Sequence, residues 1–359
     1  MRTVIQDSGL PTINDGTASA QTSSCQTSLS KKKVLLMGLD GVRADVAMLP
    51  LPNIHRLQSI GTYSWWADVQ SSATAVSGPC WCSIFTGVEA SKHKVGSNND
   101  LNDCVSYPTV FKLVKDTFGK KVAASVSWDP LIDDIIDYED PSTLDAKFLG
   151  DLDDEAVAAK AEQWIKEDLY DFIFVALDGP DEEGHETGFD GYNSAYQNSV
   201  LNADMWVGKW LDAVLEVSDG EEWLLIVVSD HGGEGTGHGA SNAENRKVPL
   251  IVASNSPQVQ IGEVTIDDPG SNMDVLSTIM YFLGGKDLVP PGLDGQVFGF
   301  KDYIRVQEGS AIDAASLLSK TAYRDSVERQ HASTVSAATK ASAVTLAWAF
   351  LLTCQWAIQ

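Results

Sequence analysis

Val34 to Gly41 has the sequence VLLMGLDG, an apolar run that stops at an aspartate and a glycine. A short apolar run bounded by polar turns predicts a strand that is covered on both faces. Similar runs lie at Lys121–Val126, Asp171–Leu177, Leu224–Val228 and Val248–Val252, and amphipathic helical patterns lie at Glu155–Asp168 and Tyr192–Val217. The alternation predicts an α/β fold, a doubly wound, mainly parallel sheet with helices on both faces. Ligands of such folds bind beyond the carboxyl ends of the strands.

Aspartate and histidine follow three of these strands. Asp40-Gly41 follows the first run and Asp178 to His185 (DGPDEEGH) the third, while Ser229-Asp230-His231-Gly232 and then Gly237-His238-Gly239 follow the fourth. A single aspartate after a strand is usually a turn former. Three such clusters at successive strand ends are better explained by a metal site, because carboxylate and imidazole together suit zinc.

A candidate nucleophile lies in Ser71 to Gly87, SSATAVSGPCWCSIFTG. Ser77 precedes an apolar helical stretch from Trp81 to Phe85, so it is expected near a helix N-terminus, which favours anions. One interpretation is that Ser77 only caps the helix. Beside a bound metal ion, the other is an activated nucleophile.

The motifs taken in order resemble the alkaline phosphatase superfamily, and within it the type I phosphodiesterase/nucleotide pyrophosphatase branch. The resemblance covers about Lys31 to Phe300. It rests on Leu39-Asp40-Gly41-Val42-Arg43, Ser77-Gly78-Pro79, Phe85-Thr86-Gly87, Asp181 with Gly184-His185, Ser229-Asp230-His231-Gly232 and His238-Gly239. It implies an alkaline-phosphatase-like core.

The resemblance implies two zinc ions. One would be held by Asp40, Asp230 and His231, with Ser77 as the nucleophile at the same ion. The other would be held by Asp181, His185 and His238, because the Asp-x-x-Gly-His spacing selects Asp181 over Asp178. An Asn after a His-x-Val element binds a phosphoryl oxygen in this branch, which makes Asn98 the candidate and leaves its neighbour Asn99 as the alternative.

The implied function is zinc-dependent hydrolysis of a phosphate ester through a phosphoseryl-type intermediate on Ser77. A small phosphodiester or a nucleotide is the favoured substrate. One alternative is a phosphomonoesterase of the same superfamily, and another is a catalytically inactive, metal-binding surface protein. A sulfatase is disfavoured, because Trp81 stands where sulfatases need an arginine.

The charge balance limits the partners. The 359 residues carry 50 Asp and Glu against 25 Lys and Arg, a net charge of −25. Such a surface repels polyphosphate chains, so polymeric nucleic acid is not an expected partner. The oligomeric state is not predicted. Five cysteines are too few for a disulfide framework, but one pair among Cys80, Cys82 and Cys104 is compatible with an oxidising compartment.

The two ends of the chain differ in composition from the middle. Residues 1–30 lack the apolar stretch of a signal peptide and are expected to form a disordered arm before the catalytic domain, residues 31–305. An Ala/Ser-rich tail (306–342) and an apolar segment (343–359) follow. This order matches the outline of a lipid-anchor signal, which would attach an extracellular or cell-surface protein to a membrane. The alternative is a terminal helix packed on the domain.

Overall fold

The computed structural model describes residues 31–265 and 267–303, and within these ranges eight strands form one sheet. The strands are β1 (Lys31–Leu39), β2 (Gly61–Asp68), β3 (Val122–Val126), β4 (Ala146–Leu149), β5 (Phe172–Leu177), β6 (Glu221–Val228), β7 (Lys247–Ser254) and β8 (Gly262–Glu263). Their order is β4-β3-β5-β1-β6-β7-β2-β8. The expected arm (1–30) and the two C-terminal segments (306–342 and 343–359) lie outside the described residues, so the domain boundaries stay predictions.

β1 lies inside the sheet and pairs in parallel with β5 on one side and β6 on the other. Each of its residues from Lys33 to Leu39 is buried, which explains the unbroken apolar run. Of the strands described, β7 alone runs antiparallel to its neighbours β6 and β2. The predicted mainly parallel sheet is confirmed, and all five predicted strands belong to it.

Helices cover both faces of this sheet, as predicted. The helices are α1 (Ala44–Ala47), α2 (Pro52–Gln58), α3 (Ser77–Thr86), α4 (Ala90–His93), α5 (Val110–Phe118), α6 (Asp137–Glu139), α7 (Asp154–Glu167), α8 (Gly179–Thr187), α9 (Ser194–Val217), α10 (Ala243–Arg246) and α11 (Asp274–Gly284). One apolar layer contains α3, α5 and α11, and the other contains α2, α7 and α9. Neighbouring β1 residues alternate between them, since Leu36 belongs to the first layer and Leu35 to the second. None of the helices in the described ranges has the length and apolar character needed to cross a membrane.

One disulfide joins α3 to the short helical turn at Leu101–Ser106. It pairs Cys82 with Cys104, and it leaves Cys80 as a buried free thiol. Of the pairings that the sequence left open, the structure therefore selects one. The bond holds the chain segment after α4 against α3.

Replacing both Cys82 and Cys104 by alanine should lower the free energy of unfolding by about 3 kcal/mol. The two cysteines are 22 residues apart, and a cross-link over a loop of that length lowers the entropy of the unfolded chain by an amount that corresponds to this free energy. Urea unfolding measures the change. Cys80→Ala is the matched control, since it removes a buried thiol of the same helix without breaking the bond, and its effect should be smaller. A double variant as stable as the wild type would contradict this prediction.

Candidate metal centre

The predicted site residues meet at the carboxyl ends of three adjacent strands. Asp40 follows β1, α8 follows β5, and Asp230 follows β6 after one residue. Asp181 and His185 are four residues apart on α8, so they share one face of that helix. The turn after β1 depends on Gly41, which has a φ of 69°, and a Cβ there would lie 2.7 Å from Oδ1 of Asp181. Glycine therefore lets this turn pass close beside α8.

Four side chains form what we call the serine cluster: Asp40, Ser77, Asp230 and His231. Nε2 of His231 lies 3.2 Å from Oγ of Ser77, 3.3 Å from Oδ2 of Asp230 and 3.6 Å from Oδ1 of Asp40. Two donors bound to one tetrahedral zinc ion at about 2.0 Å lie roughly 3.3 Å apart. These separations fit donors of a single ion.

Three side chains form a second group, the histidine cluster: Asp181, His185 and His238. Nε2 of His185 lies 3.2 Å from Oδ2 of Asp181 and 3.0 Å from Nε2 of His238, which is 3.8 Å from Oδ1 of Asp181. The two clusters are adjacent, because the rings of His231 and His238 stack with their centroids 3.9 Å apart. Candidate metal-binding donors from both clusters therefore lie at one place in the fold.

Backbone carbonyls set the tautomer of all three histidines. Nδ1 lies 3.0 Å from the Thr236 carbonyl in His185, 2.9 Å from the Gly232 carbonyl in His231 and 3.2 Å from the Ala75 carbonyl in His238. A carbonyl only accepts hydrogen bonds, so Nδ1 carries a proton in each ring and Nε2 is the nitrogen that faces the cluster. This is the usual second contact of a metal-binding histidine. In His185 the hydrogen bond to Asp181 raises the pKa to about 9, so a bound ion would replace the proton on its Nε2.

The charges of the site call for a cation. Burial raises the pKa of Asp40 and of Asp230 well above the usual range, and the neighbouring carboxylates, Asp181 among them, raise both further. Burial also lowers the pKa of His231 to about 3, so this imidazole is neutral. Oδ1 of Asp40, Oδ1 of Asp181 and Oδ2 of Asp230 are buried without a hydrogen-bond partner. Divalent ions would bind these three oxygens and balance their negative charge, so the donor set fits metal binding.

Asp178 also lies close to the site. One of its carboxylate oxygens lies within 4.8 Å of carboxylate oxygens of Asp40 and Asp181. Burial, and after it the negative charge of Asp181, raises the pKa of Asp178 to about 8. Asp181, by contrast, contacts both histidines of its cluster. These contacts favour Asp181, and its choice over Asp178 as a ligand stays a prediction.

Ser77 is the first residue of α3 rather than its cap. The N-cap is Val76, which has no capping side chain. The interpretation of Ser77 as a cap is therefore wrong, and its hydroxyl instead points into the serine cluster. The N-terminus of α3 adds positive potential at the same place, which favours an anion in front of Ser77.

Asn98, rather than Asn99, contacts the start of α3. Oδ1 of Asn98 accepts a hydrogen bond from the backbone N–H of Gly78 at 2.7 Å, which directs the Nδ2 group of the side chain away from that contact. The backbone N–H of Asn99 donates to the Ser97 hydroxyl instead. His93 supports this segment, since its Nδ1 accepts from the Val95 N–H at 3.1 Å.

Three further residues hold the site, and the sequence reasoning missed their contacts. Nε1 of Trp81 donates to Oδ2 of Asp40 at 2.8 Å. The guanidinium of Arg43 donates to the carbonyls of Phe189 and Gly233, and the hydroxyl of Tyr196 donates to the Gly41 carbonyl. Of these contacts, the one from Trp81 had a sequence signal, because Trp81 lies four residues after Ser77, one helical turn along.

Comparison with known proteins gives one family match. A model of the family described as type I phosphodiesterase / nucleotide pyrophosphatase matches residues 34–247, more than half of the chain. The matched range contains both clusters and Asn98. Comparison with curated proteins gives no match.

Solved structures of low sequence identity share the fold. Human ectonucleotide pyrophosphatase / phosphodiesterase 5 is 14% identical with a TM-score of 0.60, covering 77% of this chain and 100% of that chain. An inactive form of the murine protein in complex with AMP is 15% identical with a TM-score of 0.57, covering 72% and 96%. The 2-O GAG sulfatase BT1596 is 15% identical with a TM-score of 0.57, covering 75% and 73%. At these identities the likeness shows the fold alone.

Proposed function

Because the chain belongs to the type I phosphodiesterase / nucleotide pyrophosphatase family, we propose that it is a zinc-dependent hydrolase of small phosphodiesters or nucleotides that uses Ser77 as its nucleophile. One observation carries this proposal. Oγ of Ser77 lies at the N-terminus of α3 and 3.2 Å from Nε2 of His231, inside a cluster of metal-type donors.

The two clusters would hold two zinc ions. Asp40, Asp230 and His231 would bind one beside Ser77, and Asp181, His185 and His238 would bind the other. When bound, the ions supply a lowered pKa for the Ser77 hydroxyl and for a water molecule, together with positive charge for the attacking and leaving oxygens.

Ser77 then performs the chemistry in two displacements. Oγ loses its proton and forms a bond to phosphorus while the bond from phosphorus to the leaving oxygen breaks. The leaving oxygen takes up a proton and departs as an alcohol, and a phosphoseryl ester that keeps the second ester group of the substrate remains. Water then loses a proton and attacks the same phosphorus, the bond to Oγ breaks, and Oγ takes up a proton, which restores the serine. The N-terminus of α3 stabilises the negative charge of the phosphoryl oxygens in both steps.

The side chain of Asn98 favours a phosphodiester substrate over a phosphomonoester. Its carbonyl oxygen is occupied by the Gly78 N–H, so its amide Nδ2 is the group that would donate to a phosphoryl oxygen. A neutral donor suits the single negative charge of a diester better than the two charges of a monoester. The net charge of −25 further disfavours polymeric nucleic acid as a partner.

A nucleotide is a specific form of this substrate class. An inactive form of the similar murine protein is in complex with AMP, a monoester that hydrolysis of a nucleotide diester can release, so such a diester is a reasonable first substrate to assay. We also place the protein outside the cell or at its surface, because the Cys82–Cys104 disulfide suits an oxidising compartment. We also propose membrane attachment through residues 343–359, a segment that lies outside the described residues.

The zinc-loaded protein should hydrolyse bis-p-nitrophenyl phosphate with a kcat/KM roughly tenfold or more above that for p-nitrophenyl phosphate, because the site offers a neutral donor where a monoester carries a second charge. Release of p-nitrophenolate measures both rates, and p-nitrophenyl sulfate is the control that should not react. A preference for the monoester would instead indicate a phosphomonoesterase. Zinc binding without any turnover would indicate an inactive metal-binding protein.

A further inference from the structure

The indole of Trp81 makes an unusual contact in the interior of the protein. Its Nε1 donates to Oδ2 of Asp40 at 2.8 Å, and both side chains are buried, with 0% and 2% of their surface exposed. We infer that Trp81 is a positioning residue, which orients the Asp40 carboxylate toward the metal ion of the serine cluster. This inference rests on the proposed zinc-dependent function.

The two oxygens of Asp40 have different surroundings. Oδ2 accepts the indole hydrogen bond, whereas Oδ1 has no hydrogen-bond partner and lies 3.6 Å from Nε2 of His231. A carboxylate with no hydrogen bond can rotate and present either oxygen. The indole therefore determines which oxygen faces the cluster and leaves one oxygen for the ion.

The indole itself is held on several sides. Its ring contacts those of Phe85 and Phe174, each at a centroid distance of 5.8 Å. On β1, a Cβ at Gly38 would lie 2.3 Å from the ring, so the absence of a side chain there makes room for the indole. Because these contacts restrict the ring, its N–H has a fixed direction.

The same residue links the nucleophile to a ligand. Trp81 and Ser77 both belong to α3, while Asp40 follows β1. A shift of α3 relative to β1 would move Ser77 and also break the hydrogen bond to Asp40. Trp81 thus couples the position of the attacking oxygen to that of the carboxylate beside it.

A buried tryptophan elsewhere in the fold provides a matched control. Trp210 on α9 is also fully buried, and its Nε1 donates to the backbone carbonyl of Ala158 at 3.0 Å. This contact lies in the other apolar layer, away from the site. Trp210→Phe therefore removes the same donor and a similar volume without touching a proposed ligand.

The experiment compares the zinc affinities of the wild type, Trp81→Phe and Trp210→Phe in competition with a chelator. Trp81→Phe should weaken one of two zinc sites by about 10–100-fold and leave the other unchanged, as expected for a lost outer hydrogen bond. Trp210→Phe should leave both affinities at the wild-type values. Adding His185→Ala to Trp81→Phe should then weaken the remaining tight site, which identifies the weakened one as the serine cluster.

A second variant covers the case in which Trp81→Phe fails to fold. Benzothienylalanine at position 81 has the shape of tryptophan with sulfur in place of the N–H, so it removes the donor without opening a cavity. It should give the same selective loss of zinc affinity.

The outcomes separate this inference from the proposed function. If the wild type binds two zinc ions and both non-donor variants bind them equally well, the role of Trp81 is wrong and the proposed function stands. Equal weakening of both sites would mean a general structural role and would also overturn the inference. A wild type that binds no zinc would overturn both.

Discussion

Ser77→Ala should lower the turnover of bis-p-nitrophenyl phosphate by at least about 10³-fold, because the variant lacks the oxygen that forms the covalent intermediate. Zinc content should stay at the wild-type value, since the six carboxylate and imidazole donors of the two clusters remain. Metal analysis and the rate of p-nitrophenolate release test both statements on the same sample.

Two variants serve as controls for the serine. Thr86→Val removes another buried hydroxyl of α3, one that donates to the Cys82 carbonyl at 2.7 Å rather than to the site, and it should keep most of its turnover. Ser77→Thr keeps a hydroxyl at the same position and should retain measurable turnover. If Ser77→Ala hydrolysed the diester at the wild-type rate, another group would have to be the nucleophile.

Asp230→Ala should abolish turnover and release zinc from the serine cluster. Asp230 is fully buried and its Oδ2 lies 3.3 Å from Nε2 of His231, so the variant removes a direct donor from the interior of the cluster. The loss of affinity should exceed the 10–100-fold that a lost outer hydrogen bond costs. Equilibrium dialysis followed by metal analysis measures it.

Thermal unfolding distinguishes this loss of metal from misfolding. Without metal, Asp230 is a buried carboxyl group whose pKa is raised by burial. Metal-free Asp230→Ala gains by losing this buried polar group and loses the hydrogen bond from the Gly41 N–H, so it should unfold within about 5 °C of the metal-free wild type. Asp204→Ala is the matched control, because Asp204 is equally buried but accepts hydrogen bonds from the start of α2. Asp204→Ala should lower the unfolding temperature and keep the bound zinc. If Asp230→Ala bound zinc with the wild-type affinity, the proposed donor set would be wrong.

The strands and their turns could be predicted because their signals are local. An unbroken apolar run such as Val34–Leu39 indicates burial on both faces wherever it occurs. Such signals are weak for β2, which mixes Thr62 and Ser64 with aromatic residues, and for β8, which has two residues. The antiparallel direction of β7 has no local signal either, since it depends on how the chain returns to the sheet.

Local patterns in the sequence predicted the fold class and placed six candidate ligands after three strands and the candidate nucleophile Ser77 before a helix, and the family resemblance implied their roles. Only the folded chain brings these side chains together in two clusters, pairs Cys82 with Cys104, and gives Asn98 and Asn99 different contacts. It also places the Trp81 indole against Asp40, 41 residues apart in the chain. The physical reason is that apolar periodicity is a property of neighbouring residues, whereas these contacts join distant segments that meet only after the sheet has formed.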